Sequence, residues 1–231
     1  MIAIITLLKT IKYKYRLIRE HIWNRTPYLL HLIDSKISEL FFKYNLYPSF
    51  IKNKGLRYFP REIVYINPNK IKYYDSERLF SSIYFIQDGD WDKKVIKIEE
   101  KPQYRVVNEL INKQIPIRQL TDFEYTVNKY LEKKNIGKNQ AIDLAVKKYQ
   151  SILNLIKTMK RDGYKTQEDL GKLPHNKFNT WYDEIRVSIN RNGEYLLNGS
   201  GNHRLFISQQ IGIEKVPIVI IRNHYQFINH I

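Results

Sequence analysis

The segment EIRVSINRNGEYLLNGSGNHRLFISQQIGIEKVPIVIIR, residues 184–222, constrains the fold more than any other part of the chain. Ile185, Val187 and Ile189 alternate with polar residues, which is the period of a strand. Asn192-Gly193 is the strongest short hairpin signal, and Tyr195 to Leu197 supplies the returning strand. Residues 205–211 read as a short helix with Gly212 at its C-terminal cap position. VPIVIIR then reads as a further strand, with Pro217 suited to its start or to an edge.

Between the hairpin and the helix lies Gly199-Ser200-Gly201-Asn202-His203-Arg204. Two glycines there permit backbone conformations closed to other residues and let a ligand approach the main chain. The free N–H groups and positive dipole of the following helix favour an anion, typically a phosphate. Arg204 adds a bidentate donor and His203 a further one, while Ser200 and Asn202 offer polar contacts. The alternative is a structural turn in which Asn202 caps the helix and His203 and Arg204 are solvated. The spacing matches neither a Walker loop nor a dinucleotide fingerprint.

The remainder of the chain sets the frame. Its 231 residues, 43% hydrophobic, suffice for one core. The absence of cysteine excludes disulfides, thiolate metal sites and cysteine nucleophiles. The formal charge of +16 fits a polyanionic partner, or simply a Lys-, Ile-, Asn- and Tyr-rich composition. Half of that charge, a net +8, falls in residues 1–60, where 11 Lys and Arg face only Glu20, Asp34 and Glu39. This segment is the expected contact with nucleic acid or an anionic membrane surface. MIAIITLL is too short to span a bilayer and lacks the features of a secretory signal. The chain therefore reads as cytoplasmic, with a basic amphipathic helix at the membrane surface as the peripheral alternative.

Residues 1–45 read as helical with a break near Asn24 and Pro27, and Pro48 and Gly55 mark a linker. EIVYINPNKIKYY (62–74) reads as a strand, a turn at Asn67-Pro68-Asn69 and a second extended piece. Residues 82–92 form an apolar run closed by an acidic turn, and 104–135 read as mostly helical. The clearest helix covers 139–161, with apolar positions three and four apart, Asn139 as its cap and Gly163 as its end.

Gly201, His203, Arg204, Gly212, Val216, Pro217 and Val219, following a hairpin, resemble the core of the ParB/sulfiredoxin-like domain, with its Gly-x-[His/Arg]-Arg motif and VPV-type strand. VYINPNKIKYY resembles that family's opening "I.P..I" strand, and MKRDGYKTQEDL the helix and glycine ahead of its "PI.V" strand. The resemblance implies an α+β fold with a small mixed sheet over residues 56–231. A largely helical insertion at about 76–158 and a helical extension over 1–55 complete the division. It implies that Gly199, Gly201, His203 and Arg204 hold nucleotide phosphates. Family members are CTP-binding partitioning proteins, ATP-using sulfiredoxins and ADP-dependent free-serine kinases. Asn202 stands where sulfiredoxin needs its cysteine, so sulfinic acid reduction is excluded. Only about nine residues follow the last strand, which leaves no room for the partitioning proteins' helix-turn-helix.

The expected function is accordingly phosphotransfer from ATP or ADP, with CTP a further candidate, to a small hydroxylated acceptor with Mg2+. A nucleic-acid-binding module is the alternative, and a nuclease a third. Asp75 lies roughly where the serine kinases place a catalytic carboxylate. Asp88, Asp90 and Asp92 of DGDWD suit a hard cation or a substrate hydroxyl, without the later ligands of an EF-hand. Glu184 is a third carboxylate candidate, expected as a strand-end surface residue, and His224 is expected at the surface.

Overall fold

A computed structural model describes residues 63–75, 86–167, 169–170 and 184–229. The basic segment 1–60 and its expected helices lie outside these. The fold is α+β, built on one mixed seven-stranded sheet.

The strands are β1 (Ile63–Ile66), β2 (Ile71–Asp75), β3 (Ile86–Gln87), β4 (Val95–Lys97), β5 (Ile185–Ile189), β6 (Tyr195–Leu197) and β7 (Val216–His224). Their order is β1-β7-β5-β6-β2-β4, with β3 added beside the end of β7. β7 is the hub: β1 runs antiparallel along its first half, β3 parallel along its last two residues, and β5 parallel on its other side. Every residue of β7 is buried, which suits its unbroken apolar run. Pro217 is tolerated because it sits at the second position, opposite Tyr65 near the strand's start.

β5 and β6 form the expected antiparallel hairpin, pairing Ile189 with Tyr195. The loop is longer than a two-residue Asn-Gly turn. Gly193 donates to the Asn190 carbonyl at 3.0 Å, and the Asn190 side chain accepts from Asn192 N and Glu194 N at 3.0 and 2.8 Å. Gly193 follows with φ +81°, so the glycine was needed, one step later than a simple turn would place it.

The helices are α1 (Pro102–Ile111), α2 (Phe123–Lys134), α3 (Lys138–Asp162), α4 (Asn202–Gln210) and α5 (Tyr225–Asn229). α3 carries the apolar stripe read from the sequence: Ala145, Tyr149, Ile152, Ile156 and Met159 are buried. Its cap is Gly137 rather than Asn139, which lies inside the first turn. Gly163 ends it as expected, at φ +73° with its N–H on the Met159 carbonyl. α1 and α3 pack on α4, and α4 packs on the sheet face formed by Ile185, Val187, Ile218 and Ile220. Burying each such side chain contributes about 1.5–3 kcal/mol. The stretch 76–158 is helical in α1 to α3, but it also contributes β3 and β4 to the sheet. Among the described residues no helix is long and apolar enough to cross a membrane.

The opposite face of the sheet is unusual. Arg186, Ser188 and Asn190, the polar positions of β5, are all buried, as are Asp75, Arg222 and His224. A register shift between Val187 and Ser188 brings Arg222 opposite Ser188 and so onto this face.

Candidate functional site

The glycine loop connects β6 to α4. Gly199 and Gly201 both take positive φ, +82° and +79°. Gly201 is held there by packing: a Cβ would lie 2.6 Å from the Ile185 Cα. Its carbonyl accepts from Leu205 N at 2.9 Å, which starts the helix, yet no side chain caps it. The N–H groups of Asn202, His203 and Arg204 meet no acceptor among the described residues. The Asn202 Oδ1 atom is buried without a hydrogen-bond partner, so Asn202 does not act as the cap. The loop thus presents a cluster of unsatisfied N–H groups at the positive end of a nine-residue helix.

His203 sits in the first turn. Burial, helped by the Lys148 charge, holds its pKa below the ordinary 6.5, so the ring is neutral at pH 7. Arg204 is directed elsewhere. Its Nη1 donates to Glu184 Oε2 at 2.9 Å and its guanidinium lies over the Tyr164 ring, 5.6 Å from the centroid. Glu184, expected at the surface, is 1% exposed. It also accepts from Tyr164 OH at 2.9 Å and Gln167 N at 2.7 Å. The cause is charge balance: the guanidinium has drawn the carboxylate inward, and two further donors complete its coordination. Burial pushes the Tyr164 hydroxyl pKa up, so it stays a donor to Glu184.

Asp75 ends β2 in full burial. It accepts from Asn198 Nδ2 at 2.8 Å, from Ser188 Oγ at 3.1 Å, and from the Arg222 guanidinium. Asn198 immediately precedes Gly199, so Asp75 is one hydrogen bond from the glycine loop. Arg222 is sandwiched against Trp91, with its guanidinium 3.6 Å from the ring centroid. His224, also expected at the surface, is fully buried beside Trp91. Its Nδ1 accepts from Gln226 N at 3.1 Å, so Nε2 carries the proton and donates to the Gly89 carbonyl at 2.8 Å.

Asp88, Asp90 and Asp92 sit at the other end of the hairpin. Arg191, in the hairpin turn, donates its backbone N–H to Asp92 at 2.9 Å, and its guanidinium reaches Asp92, Asp90 and the Gly89 carbonyl. Burial opposes ionisation of Asp92, but the Arg191 bonds outweigh it and the carboxyl lies below its usual pKa. Lys93 and then Arg191 do the same for Asp90. Asp88 is exposed and accepts from Gly89 N at 2.8 Å. Gly201 abuts the first residue of β5, whereas Arg191 lies beyond its last. The length of β5, about 13 Å, therefore separates this acidic loop from the glycine loop. With Arg191 occupying the positions that a cation would take, the loop does not fit a Mg2+ site in this arrangement. Among the described residues no group of three or more His, Asp or Glu gathers to hold a metal.

Comparison of the chain with known protein families, with curated proteins and with solved structures finds no match.

The glycine loop was legible in the sequence from its strand–glycine–helix order. Glu184, Asn198, Arg222 and His224 were missed as members of a network. The available signal was position: Asp75 and Arg222 each stand at the end of an apolar strand, where both face the same interior layer.

Proposed function

We propose that the chain binds nucleotide phosphates at Gly199 to Arg204 and transfers a phosphoryl group to a small hydroxylated acceptor, as a protein of the ParB/sulfiredoxin-like type. The observation that carries this reading is the helix start: three N–H groups without acceptors, behind two left-handed glycines, with no side chain covering them. Phosphate oxygens satisfy such groups through charge-assisted hydrogen bonds. ATP or ADP is the expected donor, with CTP a further candidate, and Mg2+ would arrive on the phosphates.

In the transfer, the bond from the terminal phosphorus to its bridging oxygen breaks and a new bond forms to the acceptor oxygen, whose proton must leave. The carboxylates are poorly disposed to take it. Asp75 is ringed by donors, and Asp90 and Asp92 face Arg191 across the length of β5. His203, neutral and in the first turn of α4, is the group suited to the role. A base must be unprotonated, so the rate should rise as pH increases through the depressed His203 pKa, below 6.5. His203→Gln should flatten that limb of the pH–rate profile and lower kcat about 10²-fold or more, with nucleotide affinity largely kept.

The direct test is calorimetric titration with ATP, ADP, CTP and GTP in Mg2+, on the wild type and on Asn202→Asp. A carboxylate in the first turn suits the helix dipole, so the variant should fold at least as stably. It should nonetheless weaken nucleotide binding more than tenfold by repelling phosphate. If the wild type binds no nucleotide, the proposal is wrong.

A further inference from the structure

Two guanidiniums were candidates for the anion at the loop, and the sequence favoured Arg204. The structure directs Arg204 into the buried Glu184 carboxylate. Arg186 has a different disposition. It lies on β5 directly across from Asn198, whose N–H donates to the Arg186 carbonyl at 2.8 Å. Its own N–H approaches the Ser200 carbonyl at 3.5 Å, so its main chain brackets the glycine loop. Its side chain, 6% exposed, runs on the interior polar face. There, Nη2 lies 3.2 Å from the position of a Cβ on Gly199.

We propose that Arg186 is a phosphate-binding residue of the glycine loop, gripping a di- or triphosphate from the sheet side while the α4 N-terminus grips it from the helix side. This rests on the phosphate reading of the loop given above. Glycine at 199 then has a second purpose besides its φ of +82°: the missing side chain leaves the guanidinium against the loop's main chain. A guanidinium is always charged, matches phosphate oxygens two at a time, and acts more strongly away from bulk water. Arg204 becomes a positioning residue, tying the first turn of α4 to Glu184 and Tyr164.

The test uses the full chain and two probes, inorganic pyrophosphate and whichever nucleotide binds best. Arginine side-chain NMR signals are followed during titration of the wild type, with Arg186 assigned by its loss in Arg186→Lys. The expected result is that Arg186 shifts on saturation more than Arg204 and Arg222. Arg186→Lys should weaken both probes at least tenfold, and Arg204→Lys by less. Gly199→Ala, whose new methyl meets only the flexible end of Arg186, guards against a folding defect in Arg186→Lys and should also weaken both probes. If the wild type binds but the Arg186 signals stay still, this inference fails and the phosphate reading stands. If the wild type binds neither probe, both fall together.

Discussion

Asp75→Ala is expected to lower the unfolding free energy by about 3–5 kcal/mol, because it strips the fully buried Arg222 of its carboxylate. The effect should register as a lower urea midpoint with an unchanged slope. Asn198 and Ser188 also donate to Asp75, so the loss extends to the residue that leads into the glycine loop. Two companions separate the causes. Asp75→Asn keeps the shape and an acceptor oxygen and should cost less. The double variant Asp75→Leu/Arg222→Met removes both charges and should recover most of the stability, since apolar replacements of a buried pair are often neutral or better. If Asp75→Ala alone costs under 1 kcal/mol, the pair does not anchor the interior face.

Gly201→Ala should be the most damaging single change in the loop, at about 3 kcal/mol, and should remove the anion site. Two penalties combine: a left-handed φ of +79° and a methyl carbon 2.6 Å from the Ile185 Cα. Gly212→Ala is the matched comparison. That residue has φ +76° but nothing within 4 Å of its Cβ position, so only the conformational cost of about 1 kcal/mol applies. Thermal unfolding of both, with pyrophosphate titration of whatever remains folded, measures the difference. Equal effects would mean that contact with β5 does not hold the loop in place.

Much of the α+β fold was readable because its signals are local. The β5–β6 hairpin, the glycine loop, α3 and the apolar β7 each declare themselves within a few residues. β4 was not readable. Val95 and Ile96 stand among lysines and acids and are partly exposed, so no apolar period emerges. The interior polar face was also hidden. A charged residue beside a strand is usually solvated, and only the partner reveals otherwise. Arg222 meets Asp75 across 147 residues, and His224 meets Gly89 across 135. Alternation in β5 marked one face as core correctly, but whether Arg186 and Ser188 faced water depended on what covers them.

The central position of β7 bears on how the molecule assembles in time. β1 and β3 join the sheet through β7 alone, and β5 pairs with it along its whole length. Until 216–224 is in place, β1 has no neighbour to pair with, and the Asp75 carboxylate lacks the guanidinium that neutralises it. Contacts this distant along the chain form slowly, because loop closure precedes any gain. Helices α1 to α3, whose contacts are short-range, should therefore order first during synthesis. The sheet then closes around β7 in one cooperative step, and the glycine loop, wedged on Ile185, acquires its shape only at that point.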